Sequence, residues 1–340
     1  MTTVTEDLNK CANEIINGNL VAFPTETVYG IGASIYNENA INKIFKYKGR
    51  PNTNPLIVHI HNYKQLEEIT NLTERDLKLV KKITDILWPG PLTLILPKSN
   101  KVSKIITANT DYIGVRMPSN KIALDFLKKC NVPVAAPSAN KYCHVSPTNY
   151  KHVLKEFKNL ELTIIPNHSE ILDIGIESSI FKLNFEDNVI ELLRPGFITV
   201  DMLTNILPNF NTINNFEENN VPGSDKKHYA IKKKTFLLTK NLDINLNKDS
   251  ISFLDFGDKY KSYGFKHYHT LSKNYDFYKA MQNLYSKLHF IENDNTELLI
   301  IYFPEENNKY YEVIYNRLIR CCSGNLINNN FNLLNSKKLN

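Results

Sequence analysis

Four short segments carry the residues best suited to chemistry: Pro24-Thr25-Glu26-Thr27-Val28-Tyr29-Gly30, Lys48-Gly49-Arg50-Pro51, Ser138-Ala139-Asn140 and Leu193-Arg194-Pro195-Gly196. Each sets cations or small hydroxyl and amide side chains at the end of an apolar run. Such groups suit the oxygens of a phosphate, so the four together read as holders of one phosphorylated ligand. None contains a Walker-type or dinucleotide glycine signature. A nucleotide here would be held by side chains rather than by a glycine-rich cradle.

Each piece also has an ordinary explanation. Lys48 and Arg50 flank a glycine at a helix end, where the macrodipole alone favours cations. Pro51, however, fixes a loop there rather than continuing a solvated helix face. Arg116 ends the strand Ile113-Gly114-Val115, and Arg194 ends a strand over 189–193. Past such strand ends, open α/β sheets gather ligand contacts. Four converging cations repel one another unless an anion sits among them. Ser138 and Asn140 are common turn residues, or else a hydroxyl and an amide aimed at phosphate. His59, inside Val58-His59-Ile60, reads first as a satisfied core histidine. Glu26 and Glu177 lie in loops beside hydroxyls and can position Mg²⁺ or a substrate amine. Lys48 and Arg50 are expected at loop edges, outside the core.

The elements that position these residues alternate along the chain. Thr5 is expected to cap a helix ending at Asn17-Gly18, followed by strand Leu20-Val21-Ala22-Phe23. Asn37 caps a second helix, with Ala40, Ile41, Ile44 and Phe45 on one face. Strand Leu56–Ile60, a helix over 73–87 stopped by Trp88-Pro89-Gly90-Pro91, and strand Leu92–Leu96 follow. Further strands are expected at 113–115, 132–136, 162–165, 179–183 and 189–193, with helices over 120–130 and from Thr148. This pattern predicts a layered α/β domain over 1–208 with one open, twisted sheet and flanking helices. Several connections are too short for crossover helices, so the pairing should be mixed. An Asn-rich, aperiodic stretch over 209–234 reads as a linker. A smaller α/β domain follows over 235–324, with strands at 235–238, 251–254 and 298–302 and helices over 274–291 and 311–322. The tail, 325–340, is rich in Asn and Lys and is expected to fray.

Composition narrows the class. The 340 residues are 42% hydrophobic, enough for two cores, and the formal charge of +6 permits anionic ligands without implying a nucleic-acid coat. The five cysteines, at 11, 130, 143, 321 and 322, form no C-x-x-C pair. That argues for reduced cytosolic thiols and against a disulfide scaffold or zinc site. The start is polar, and no apolar stretch nears the ~20 residues of a membrane helix. The expectation is a soluble, cytoplasmic protein with no membrane partner and no metal ligands of its own.

Taken in order, these segments resemble the Sua5/YrdC family. The likeness also rests on Pro55-Leu56-Ile57-Val58-His59, Trp88-Pro89-Gly90-Pro91-Leu92-Thr93, Val115-Arg116-Met117-Pro118 and Glu177-Ser178-Ser179. It runs from about Leu8 to Asn209. Val221-Pro222-Gly223 with His228-Tyr229-Ala230 is similar to the linker of the two-domain Sua5 type, and Asn316-Arg317-Leu318 to the closing helix of its second domain. Two places differ. Tyr142 and Cys143 stand where the family has Ser-Gly, and the loop Asp173-Ile174-Gly175-Ile176 before Glu177 is short.

The resemblance implies synthesis of L-threonylcarbamoyladenylate from L-threonine, bicarbonate or CO₂, and ATP, with release of pyrophosphate. Mg²⁺ is implied with the ATP, and transfer to the machinery that modifies adenosine 37 of tRNA is implied downstream. It assigns Lys48, Arg50, Ser138, Asn140 and Arg194 to the phosphates, and Thr25, His59, Arg116 and Ser178 to threonine. No covalent nucleophile is required. The linker segment 221–230, with His228 and Tyr229, is expected to close over the first domain as a lid. Two rivals remain open: a non-catalytic RNA-binding module with weak RNA affinity, and a carbamoyl-transfer maturation factor. The latter brings C-x-x-C pairs that this chain lacks.

Overall fold

Most of the described α-helices, though not those starting at Val200 and Tyr311, begin where a side chain takes up an orphan backbone donor. The computed structural model describes residues 1–169, 171–216, 222–223, 228–239 and 248–327. These divide into two units. One holds Met1–Tyr142 and the described residues from Ser146 to Gly223; the other holds Cys143–Val145 and the described residues from His228 on.

The first unit opens with β1 (Thr3–Val4), α1 (Leu8–Ile16), β2 (Val21–Phe23), β3 (Gly30–Ser34), α2 (Glu38–Lys48) and β4 (Ile57–His59). Next come α3 (Tyr63–Ile69), α4 (Glu74–Leu87), β5 (Leu92–Pro97), β6 (Tyr112–Arg116), α5 (Lys121–Cys130) and β7 (Val134–Ala135). It closes with α6 (Tyr150–Phe157), β8 (Thr163–Ile164), β9 (Ser179–Asn184), β10 (Val189–Arg194), α7 (Val200–Ile206) and β11 (Asn211–Asn214). The eleven strands form one sheet in the order β1-β8-β2-β3-β7-β4-β6-β5-β9-β10-β11. It is mixed, as expected: β4 and β6 run parallel, while β3, β7 and β4 are successively antiparallel.

Period-two alternation divides the sheet's side chains between two faces. Val58, Val115, Leu92, Leu94, Phe181, Ile190 and Leu192 enter the main core with α2 and α4. On the other face, Val21, Phe23, Val134 and Ala136 pack under α1 and α5 through Ile15, Phe126 and Leu127. Further along that face, Ile57, Ile180 and Leu193 form a separate small cluster with Ile95. His59 and Arg116 share this second face, each two residues beyond a member of its inner row, Ile57 and Gly114. A Cβ on Gly114 would lie 3.2 Å from Ile95 Cδ1, so glycine lets the strands' side chains close up here.

Several local expectations shift. α1 is capped by Asp7, whose carboxylate accepts the N–H groups of Asn9 and Lys10; Thr5 instead accepts the Asp7 N–H. Asn37 caps α2 and Gly49, at φ 64°, ends it, both as read from the sequence. β3, α3 and α7 carry no strong period in the chain and escaped the sequence reading. β11 falls inside the Asn-rich stretch read as aperiodic. All four of its residues are exposed, and it is held by parallel backbone pairing to β10 rather than by an apolar face.

The second unit contains β12 (Lys234–Leu238), β13 (Ile251–Asp255), β14 (His267–Thr270), α8 (Phe277–Glu292), β15 (Leu298–Tyr302), α9 (Tyr311–Cys321) and β16 (Leu326–Ile327). Its sheet is wholly parallel, in the order β14-β13-β15-β12-β16. β14 was not expected, and β16 lies where the tail was expected to fray. The rest of the tail, 328–340, is outside the described residues. Arg317 on α9 is 1% exposed and donates to the Val313 carbonyl. Among the described residues no helix is long and apolar enough to cross a membrane.

Candidate functional site

The residues singled out from sequence fall into three groups, tied to the first unit's sheet by strand register and by hydrogen bonds. The first is built on the β2–β3 loop. Pro24 ends β2, and Thr25 Oγ1 folds the loop by donating to the Val28 carbonyl at 2.7 Å while accepting the Thr27 and Val28 N–H groups. Thr27 Oγ1 then accepts from Arg116 Nη1 at 2.9 Å, and Glu26 Oε1 from Arg116 Nη2 at 2.6 Å. Glu26 Oε2 accepts the Ser119 N–H, which ties the loop after β6 to the same carboxylate.

His59 lies opposite Arg116 in the parallel β4–β6 register. Its ring meets the Phe23 ring edge-on at 5.8 Å. Burial, reinforced by the neighbouring Arg116 charge, pushes its imidazole down to about 3. His59 is therefore a neutral polar group at any ordinary pH. Its Nδ1 and the Arg116 Nε are both buried without a hydrogen-bond partner. Two such orphans on one sheet face need an explanation, and a bound polar ligand supplies one.

The second group joins the end of α2 to the loop after β7. Lys48 is 2% exposed and its Nζ donates to the carbonyls of Ser138 (2.5 Å) and Asn140 (2.6 Å). Arg50 is also buried and donates to the Asn54 and Pro55 carbonyls. Neither cation sits at an open loop edge, as the sequence suggested. Each is drawn inward by carbonyl oxygens that a lysine or arginine can satisfy without surrendering its charge. Ser138 is half-buried and bridges Gly30, while the Asn140 amide donates to the Lys141 carbonyl. Tyr142 extends the group: its N–H donates to the Lys48 carbonyl and its hydroxyl accepts from Asn54.

The third group stands where β5, β9 and β10 meet. Arg194 donates through Nε to the Ser178 carbonyl, through Nη2 to Ser178 Oγ at 3.1 Å, and through Nη1 to the Pro222 carbonyl. Thr93 Oγ1 and Ser178 Oγ are 2.8 Å apart. Gly196 is required beside them, since a Cβ there would lie 2.5 Å from the Ser179 nitrogen. Ser178, assigned to threonine, thus touches Arg194, assigned to phosphate. Glu177 next to it accepts from Ser146 Oγ at 2.5 Å.

Sequence reasoning missed Thr27 as a partner of Arg116 and Thr93 as a partner of Ser178, although both lie inside motifs it had marked. It left Glu26 between Mg²⁺ and an amine, and the structure turns that carboxylate onto Arg116. In the second unit, Tyr229 is buried and stacks on Tyr285 of α8 with centroids 5.4 Å apart, while the His228 N–H donates to the Arg320 carbonyl. Ala230 bridges His144, and its N–H donates to the Cys143 carbonyl. Of the expected lid, Val221 and residues 224–227 lie outside the described residues. Cys143 itself has φ 64°, the left-handed backbone for which glycine is the usual residue.

Comparison with known proteins identifies the family. The family model of the Sua5, YciO and YrdC proteins, described as telomere recombination, matches residues 13–196. A second, described as the C-terminal domain of threonylcarbamoyl-AMP synthase, matches residues 198–323. The chain is 39% identical over 224 residues to the threonylcarbamoyl-AMP synthase of Pyrococcus abyssi, covering 64% of each chain. It is 38% identical over 216 residues to that of Bacillus subtilis, covering 62% of this chain and 60% of the other. These alignments span somewhat under two thirds of either relative. The crystal structure of Pyrococcus abyssi Sua5 complexed with L-threonine aligns over 96% of this chain and 98% of its own, with 29% identity and a TM-score of 0.82.

Proposed function

The chain belongs to the Sua5, YciO and YrdC family, and on that premise we propose that it is an L-threonylcarbamoyladenylate synthase. It joins L-threonine, bicarbonate or CO₂, and ATP, and releases pyrophosphate. The observation that carries the reading is the burial of four cations in the first unit, Lys48, Arg50, Arg116 and Arg194, with a neutral buried histidine opposite Arg116 in the strand register. A polyanion is the ligand that such a set suits.

In this reading the threonine carboxylate meets Arg116, whose direction is fixed by Glu26 and Thr27. His59, neutral, offers a hydrogen bond rather than charge, and Thr25 shapes the loop beneath. Carboxylation of the threonine amine gives a carbamate, whose oxygen attacks the α-phosphate as pyrophosphate leaves. Lys48, Arg50 and Arg194, with Ser138 and Asn140, neutralise and orient the phosphates, so the rate gain comes from positioning and charge stabilisation. Ser178 stands where both halves of the substrate set meet, touching Arg194 on one side and Thr93 on the other. Among the described residues no three His, Cys, Asp or Glu side chains gather as a metal site. Mg²⁺ would accordingly enter with ATP, ligated by phosphate and water.

We further propose that segment 221–230 serves as a lid, with Tyr229 anchored on Tyr285. The product passes to the machinery that places threonylcarbamoyl groups on tRNA, and the protein works in the cytoplasm. The deciding assay is pyrophosphate release with every combination of ATP, L-threonine and bicarbonate. Release should require all three. Serine should work about fivefold less well, since one methyl is worth roughly 1 kcal/mol of burial. Equal release without any amino acid would reduce the protein to an ATPase and end this assignment.

A further inference from the structure

The second unit holds an arrangement that the proposed synthase does not use. β13 and β15 are neighbours, yet their onward connections part company. β13 leads through 256–266 to β14 on one side; β15 leads through α9 to β16 on the other. In parallel α/β sheets such a divergence opens a crevice at the carboxyl ends of the strands, where ligands bind.

The residues at that point are aromatic and cationic. Asp255, at the end of β13 and fully buried, accepts from the Gly257 and Tyr260 N–H groups and from the Tyr268 hydroxyl. The Gly257 carbonyl accepts from Thr270 and Tyr268 hydroxyls, so this strand end is rigidly held. Tyr275 covers it. A Cβ on Gly257 would lie 2.4 Å from the Tyr275 ring, so residue 257 is glycine because the ring lies against its backbone. Tyr275 is nonetheless 47% exposed and sits at φ 56°, a conformation that costs a tyrosine roughly 1–2 kcal/mol. Besides the Gly257 backbone, the ring packs edge-on against Phe256 at 5.7 Å. Exposed Lys259, on the segment leaving β13, interacts electrostatically with Tyr275; it donates to the Tyr302 hydroxyl at 2.8 Å and lies over the Tyr302 ring at 4.7 Å. Backbone strain that keeps a flat ring at the surface next to a cation is characteristic of a binding site.

We propose that the carboxyl end of the β13–β15 sheet is a nucleotide-binding site, distinct from the synthase site of the first unit. A base stacks on the open face of Tyr275, and its phosphate pairs with Lys259. The unit recognised is a base with one phosphate, either a free nucleoside monophosphate or one residue of single-stranded RNA. Aromatic stacking next to a lysine serves both.

The test is photolabelling of the full chain with 8-azidoadenosine 5′-monophosphate, followed by peptide mapping. Label is expected between residues 257 and 303, besides any label in the first unit. Tyr275→Phe should keep it, whereas Tyr275→Gly and Lys259→Ala should each lower it about tenfold or more. Glycine relieves the positive φ, so a thermal midpoint for Tyr275→Gly at or above the parent's assigns its loss of label to the ring rather than to unfolding. Competition separates the two sources. A single-stranded decamer effective at a tenth of the AMP concentration, per nucleotide, identifies RNA; equal potency identifies the free nucleotide. No label on this segment, undiminished label in Tyr275→Gly, or label that neither competitor removes would overturn the site. None of these readouts depends on synthase activity.

Discussion

Glu26 and Arg116 form a buried ion pair with 2.6 Å between Oε1 and Nη2, their side chains 1% and 5% exposed. The pair ties the loop after β2 to the end of β6, four strands away across the sheet, and fixes where the guanidinium points. Removing only the cation would leave a carboxylate buried without compensation, which costs about 3–5 kcal/mol. Arg116→Ala should therefore lose most of that stability in urea unfolding. Adding Glu26→Gln should restore part of it, a non-additivity that a double-mutant cycle reads directly. Glu26→Gln alone should raise the threonine KM about tenfold while leaving the ATP KM within twofold, because it loosens Arg116 and not the phosphate cations. Additive losses would show the pair to be incidental.

Lys48 and Arg50 separate two consequences of burial. Each Ala variant should slow pyrophosphate formation by one to two decades, the loss of charge-assisted contacts worth roughly 1.5–3 kcal/mol. Their effects on folding should differ. Lys48 joins α2 to carbonyls some ninety residues away at Ser138 and Asn140, whereas the bonds of Arg50 to the Asn54 and Pro55 carbonyls are local. Lys48→Ala should thus show the larger fall in thermal midpoint. Equal midpoints with the parent and unchanged kinetics in both would return these residues to the role of helix-end cations.

What the sequence revealed follows from which signals are local. The Asn37 cap, the start of a helix near Thr73, the Gly49 stop and the apolar runs of β5 and β10 rest on neighbouring residues, and each was legible. β11 was not, because Asn211–Asn214 has no apolar face and exists only through pairing with β10. β7 and β8 shrank to two residues each for a related reason: apolar runs mark burial, whereas pairing decides strand length. In the site, charged residues at strand ends could be picked out by type. Their partners could not, since Glu26 reaches Arg116 across ninety positions of sequence. The inward turn of Lys48 and Arg50 was equally hidden, because it depends on carbonyl oxygens that every residue possesses.

Cys143 makes a prediction about strain. It occupies φ 64°, a backbone region suited to glycine, and a β-carbon in that region costs about 1–2 kcal/mol. Glycine would relieve the clash but gain entropy in the unfolded chain, offsetting about half. Cys143→Gly should therefore unfold at the same urea midpoint or slightly above it. Cys143→Val, β-branched, should fall well below. Valine matching the parent would mean that the backbone relaxes freely at this position, leaving the tie between Ala230 and Cys143 unimportant to its conformation.

His59 gives the molecule a pH signature whose sign is fixed by burial. Its imidazole is held at about 3 in the folded protein, against an ordinary 6.5, because desolvation and the adjacent Arg116 both disfavour the cation. Above pH 7 both folded and unfolded states keep it neutral, and it contributes nothing to pH dependence. Below 6.5 the unfolded chain binds a proton that the folded chain refuses. Stability must then fall as pH drops toward 3, by up to about 1.4 kcal/mol per unit. In His59→Asn that contribution disappears. The variant starts from its own offset, so the difference between parent and variant is the quantity to follow. Between pH 7 and pH 5 this gap should move by about 2 kcal/mol in the variant's favour, with carboxylate titration common to both cancelling. Urea unfolding at pH 7, 6 and 5 measures it. A constant gap would mean that His59 accepts a proton in the folded state, and its role in the threonine site would have to be rewritten as that of a cation.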